Sequence, residues 1–165
     1  MDQSLISVRS SVSGDAVAIA RIFLESAEYH ARLDPERYSA PALGTISARY
    51  REGRHHPPQA SAECITLVAE QKGEILGFID ARLERSPDPM HRELVYCQIL
   101  EIAVSKGAQR HGIGGRLLRA AEDWGRGQGA EFALLEYHAA NNHAREFYHR
   151  RMGYDVASIT AIRRL

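Results

Sequence analysis

Two groups of residues in this chain have types and spacing suited to chemistry. The first is Gln109-Arg110-His111-Gly112-Ile113-Gly114-Gly115, three close glycines and two basic residues set between an apolar run and a helical period. A loop that opens a helix presents backbone N–H groups with no intrahelical partner, and the aligned peptide dipoles add partial positive charge there. That arrangement binds anions, phosphate above all. Gly112 and Gly114 carry no Cβ, so a phosphate can approach the main chain closely, and Arg110 and His111 add charge at the rim. The second is Glu101, the only acidic or basic residue between Tyr96 and Val104. A carboxylate on an otherwise apolar strand is costly unless it is paired or faces a wet cleft. It is therefore either a general base or half of a structural ion pair.

These groups need elements to hold them. Ile99-Leu100-Glu101-Ile102-Ala103-Val104 is β-branched and too short for a typical helix, so residues 94–104 read as a long strand feeding the loop. Beyond the loop, Ile113, Leu117, Ala121 and Trp124 fall on one face of a helix running to about Gly125, where Gly125, Gly127 and Gly129 supply stop signals. Residues 132–137 form a further strand, and the strand–helix–strand order makes a parallel crossover the economical topology. Upstream, residues 5–9 alternate as a strand. Ser13 with Asp15 then starts a helix carrying Ala16, Ile19, Ala20, Phe23 and Ala27, which ends near Leu33-Asp34-Pro35. A second helix covers residues 43–51. Residues 64–69 and 75–83 read as a hairpin joined through Gln71-Lys72-Gly73-Glu74. Near the C-terminus Asn141 caps a helix with Ala144, Phe147, Tyr148 and Met152 inward and Gly153 at its end, and residues 154–165 read as a closing strand.

Composition narrows the function. With 165 residues and 44% apolar content the chain, residues 1–165, is expected to form one domain with a real core. Lys plus Arg and Asp plus Glu both number 21, so no bulk field attracts nucleic acid or an anionic membrane. No signal peptide or membrane-length apolar stretch is present, and the expected location is cytoplasmic. Cys64 and Cys97 sit in apolar runs as small buried hydrophobes, without disulfide or metal spacing. His55 and His56 are adjacent, so their side chains point apart, and no third ligand lies nearby. No metal is expected.

Among phosphate motifs, the dinucleotide fingerprint fails because Leu117 stands where the third glycine belongs, and a P-loop fails for want of Gly-Lys-Ser/Thr. Gln109, Gly112 and Gly114 instead match Q/R-x-x-G-x-G/A and resemble the acyl-CoA loop of the GNAT family of N-acetyltransferases. Asn141, Ala144, Phe147, Tyr148, Gly153 and Tyr154 look like the second GNAT signature, in the right order and on the right elements. The bare alternatives stand beside this: a glycine turn serving packing, a core aromatic at Tyr148 and a plain N-cap at Asn141.

The resemblance implies an α/β fold with a mixed, mostly antiparallel sheet of about six to seven strands flanked by helices, and a splayed strand pair holding acyl-CoA. It also implies an enzyme passing acetyl from acetyl-CoA to a primary amine, on a small molecule or a peptide, by direct attack in a ternary complex. Ile102, Ala103 and Val104 would hold the pantetheine arm through their main chain. Gln109, Arg110, His111, Gly112, Ile113, Gly114 and Gly115 would supply the pyrophosphate cradle. Asn141 and Ala144 would contact the cofactor arm, and Tyr148 would protonate or hydrogen-bond the departing sulfur. A phenol suits that task because it stays protonated near neutrality. Family members often place a glutamate base on the strand before the loop, which points to Glu101, with Glu136 and His138 in reserve. A covalent acetyl-Cys97 is not required by this chemistry. Acceptor choice would lie in residues 26–58, with Tyr29, His30, Arg32, Asp34 and Tyr38 polar enough to line a pocket. Homodimers are frequent in the family. Two other readings use the same loop: a catalytically silent acyl-CoA sensor and a nucleotide-phosphate binder.

Overall fold

A computed structural model describes residues 6–52, 63–86, 90 and 92–164. Leu5, His55, His56 and the Pro87-Asp88-Pro89 break lie outside them. Five strands form one sheet in the order of the chain: β1 (Ser7–Ser10), β2 (Cys64–Gln71), β3 (Glu74–Arg85), β4 (Val95–Val104) and β5 (Phe132–Leu135). The first three pairings are antiparallel and β4–β5 is parallel, as the crossover through α3 (Ile113–Gly127) requires. The β2–β3 hairpin turns on Lys72 and Gly73, both with positive φ, the geometry that matches strand twist in a two-residue loop.

The two faces of the sheet carry separate apolar clusters. On one, α3 packs Ile113, Leu117, Leu118 and Ala121 against Leu67, Ile79, Cys97 and Ile99. Each large aliphatic group sealed there contributes roughly 1.5–3 kcal/mol. On the other, α1 (Ala16–Leu33) brings Ile19 and Ile22 onto Val68 and Phe78, with Tyr50 of α2 (Leu43–Arg51) against the same cluster. The entry to α1 is pinned by Arg9, which donates to Asp15 at 2.7 and 3.0 Å and to Glu70 at 2.7 Å. Arg9's guanidinium holds the Asp15 carboxyl below the usual range. Among the described residues no helix is long and apolar enough to cross a membrane.

Two expectations are corrected. The sheet has five strands among the described residues rather than six to seven, because residues 154–164 form no strand. Their large apolar side chains, Val156, Ile159 and Ile162, recur every third residue, a spacing that puts neighbours on opposite faces of a strand. All three are exposed. Gly125 lies inside α3 rather than ending it: a Cβ there would fall 2.5 Å from the Cβ of Cys97, so this glycine lets the helix touch β4. The helix stops two residues later, and left-handed Gly129 carries the chain towards β5.

Candidate functional site

The loop between β4 and α3 is built by two left-handed residues. After Val104 a single 3-10 turn, Lys106–Ala108, anchors the loop through buried Ala108, and Gln109 Nε2 donates back to the Val104 carbonyl at 3.1 Å. Arg110 (φ 65°) and Gly112 (φ 76°) then turn the chain into the helix. The first intrahelical bond runs from Arg116 N to Gly112 O, so the amides of Ile113, Gly114 and Gly115 precede the ladder, and no side chain caps them. A Cβ on Gly112 would meet nothing within 4 Å, so the preference for glycine there comes from its left-handed backbone and not from crowding. A Cβ on Gly114 would lie 3.4 Å from the Phe147 ring. His111 turns its ring back onto its own loop, Nδ1 lying 2.8 Å from Gln109 O.

The strands beside this loop part company. The β4–β5 ladder runs from Tyr96↔Phe132 to Ile99↔Leu135 and ends, while β4 continues to Val104. At the same point a bulge between Asp80 and Ala81 on β3 leaves Leu100 as the extra residue of β4. Beyond it opens a cleft of about 570 Å3, lined by residues 99–104 of β4, by Leu135, Glu136 and Tyr137, by residues 112–115, and by Ser26 and Tyr29 of α1. Its size suits a sizeable organic ligand.

Glu101 and Tyr148 both line this cleft. Glu101 accepts a hydrogen bond from Ser26 Oγ at 3.3 Å. Burial, and then the nearby Asp80, push its carboxyl up to about 7. Tyr148 sits in a π-helical segment, Glu146–Arg151, that follows the short α4 (Asn142–Arg145); such wide turns recur at functional sites. Its ring packs against Phe147, Tyr137 and Tyr154. Burial and the Glu101 charge hold its phenol above the ordinary range, so it remains a donor at neutral pH. Asn141 Oδ1 accepts from Ala144 N at 3.0 Å and from Tyr29 Oη at 3.4 Å, tying the start of α4 to α1.

Of the sequence-derived candidates, Glu101, Ile102, Ala103, Val104, Gln109, Arg110, Gly112, Ile113, Gly114, Gly115, Asn141, Ala144 and Tyr148 converge on the cleft, as do Glu136, Tyr29, His30 and Arg32. His111 does not line it. Neither does His138, whose Nε2 lies 2.8 Å from Arg37 and 3.4 Å from Asp34, with the Tyr38 ring edge-on. Cys97 is sealed under α3, its thiol donating to Ala121 O at 3.4 Å and pushed up to about 11 by burial, a poor nucleophile. Sequence reasoning missed Asp80, a lone acid in the apolar run of residues 75–83. The signal was the one that singled out Glu101.

Residues 21–154 match the model of the acetyltransferase (GNAT) family. A curated relative, YhfO of Bacillus subtilis (strain 168), described as an uncharacterized N-acetyltransferase, is 28% identical over 150 residues, 91% of this chain and 90% of that protein. Among solved structures, a mutant BH1408 protein from Bacillus halodurans superposes with a TM-score of 0.85 at 18% identity, over 96% of this chain and 99% of that one. AAC(6')-Iy in complex with the bisubstrate analogue CoA-S-monomethyl-acetylneamine superposes with a TM-score of 0.70 at 14% identity, over 97% of each chain. These likenesses cover the mixed sheet, the flanking helices and the cleft-bearing end together.

Proposed function

We propose that this chain, which belongs to the GNAT family of acetyltransferases, is an N-acetyltransferase that passes acetyl from acetyl-CoA to a primary amine by direct attack in a ternary complex. The observation that carries the reading is one cleft joining an uncapped helix N-terminus to an acid with a raised pKa and a buried phenol. The free amides of residues 113–115, with Arg110 beside them, suit the diphosphate of coenzyme A. The main chain of residues 102–104, beyond the end of the β4–β5 ladder, suits its amide-bearing arm. The CoA analogue held by AAC(6')-Iy supports this choice of cosubstrate.

An acceptor amine reaches the cleft as an ammonium ion and must lose a proton before its lone pair attacks the thioester carbonyl. Glu101, partly ionised near neutral pH, takes that proton directly or through water. The C–N bond forms, the C–S bond breaks, and the sulfur leaves with a proton from Tyr148, which is restored from solvent or from Glu101. The products are an N-acetyl amide and free CoA.

The test is a panel of amines (a polyamine, a free amino acid, an aminoglycoside and a lysine-containing peptide) mixed with acetyl-CoA and read by thiol release. Release above the amine-free rate for at least one class is expected. CoA binding without release for any amine would leave only the silent sensor, and displacement of CoA by ATP would favour the nucleotide binder.

A further inference from the structure

Two acids lie side by side beneath the cleft. Asp80 of β3, 1% exposed, is the cross-strand partner of Glu101 on β4, immediately before the bulge. Thr66 Oγ1 of β2 donates to Asp80 Oδ1 at 2.6 Å, and Tyr50 Oη of α2 donates to Oδ2 at 2.7 Å. Glu101 receives the longer bond from Ser26. Adjacent carboxyls in a low-dielectric site do not both ionise readily, and the better-solvated one takes the charge. Here the short hydroxyl donors converge on Asp80, which fixes its carboxylate beside Glu101 and makes a second charge there costly.

We propose that Asp80 is a positioning residue for acetyl transfer: anchored by Thr66 and Tyr50 on the strand beside Glu101, its carboxylate opposes a second negative charge there and so sets the conditions under which Glu101 acts as a base. This rests on Glu101 being the base. The raised pKa of Glu101, driven by burial first and by Asp80 second, agrees with that geometry. Among the described residues, the Asp80 carboxylate faces Tyr50 of α2, and Glu101 shares the cleft with Glu25, Tyr29 and His30 of α1, Glu136 beyond β5 and Tyr148 of the π-helical segment. The Tyr50 phenol is pushed far up by burial and by the Asp80 charge, so it stays a donor across the working range.

The experiment follows the Glu101 side-chain carboxyl carbon by 13C NMR against pH in the whole protein without ligands, with Glu101→Gln identifying the resonance. The wild-type midpoint is expected near 7. In Asp80→Asn, which keeps shape and removes charge, it should fall by about one pH unit or more. In Tyr50→Phe, which removes a donor that holds Asp80 beside Glu101, the fall should be smaller and in the same direction. An unchanged midpoint in folded Asp80→Asn overturns the proposal. If that variant does not fold, Tyr50→Phe decides by the same criterion. None of these readings needs turnover, so their failure is distinct from failure of the amine panel. Where an amine is acetylated, the acid limb of its kcat/KM profile should move with the NMR midpoint in Asp80→Asn. A midpoint that moves while the limb stays fixed would show that Asp80 tunes a Glu101 that is not the base.

Discussion

The roles proposed for Tyr148 and Gly112 can be separated, chemistry from binding, at the level of single residues. Tyr148→Phe keeps the ring contacts with Phe147, Tyr137 and Tyr154 and removes the donor. Turnover should fall by about 100-fold, the scale of a lost general acid, while the CoA dissociation constant measured by calorimetry stays unchanged. Equal losses in both would sink its acid role. Gly112→Val has the opposite signature. A β-branched residue at φ 76° forces the loop out of its left-handed turn, and CoA binding should disappear with the fold intact by circular dichroism. Gly114→Ala, whose Cβ would reach ordinary contact with Phe147, should be nearly silent. Much of this was readable from sequence, because glycine spacing and an isolated acid are local signals. Asp80 carried the same local signal and was passed over; what sequence could not show was its pairing with Glu101, because register is set by the whole sheet.

At the level of elements, the contact between α3 and β4 depends on a missing side chain. In an exposed helix Gly→Ala gains up to about 1 kcal/mol of propensity. At Gly125 the new methyl would lie 2.5 Å from Cys97 Cβ, and overpacking costs about 1–3 kcal/mol. Packing outweighs propensity, so Gly125→Ala should lower the urea midpoint; an increase would mean that α3 can shift away from the sheet freely. The strands and helices themselves were legible, because periods of two and 3.6 residues show in runs of this length, and Lys72-Gly73 announced its hairpin. The π-helical turn around Tyr148 was not, because over six residues its period cannot be told from that of an ordinary helix. The departure of β5 from β4 came only with the family resemblance, since no local period shows where pairing stops.

For the molecule as a whole, the Glu101 carboxyl makes stability depend on pH. Its folded pKa is raised from 4.5 to about 7, so the stabilisation it brings is complete below 4.5 and is lost as pH rises through 7. That loss amounts to at most about 3 kcal/mol. Asp15 acts the other way, its depressed folded pKa giving stability above 3.8 that disappears on acidification. Glu101→Gln should therefore melt at a higher temperature than wild type at pH 8 and lose that advantage by pH 5; a constant gap in calorimetry across that range would show that no charge is buried there. The closing segment was misjudged at this scale. In sequence it reads as a strand, yet the three-residue recurrence of Val156, Ile159 and Ile162 offers no single face to bury. Left-handed backbone at Arg110 sets stability against function for the same fold: a non-glycine residue there costs about 1–2 kcal/mol. A screen for heat resistance would drift towards glycine at 110; with Arg110 at the rim of the proposed CoA site, a screen for turnover at low CoA would hold the arginine, and the gap between the two outcomes would measure the robustness given up for that charge.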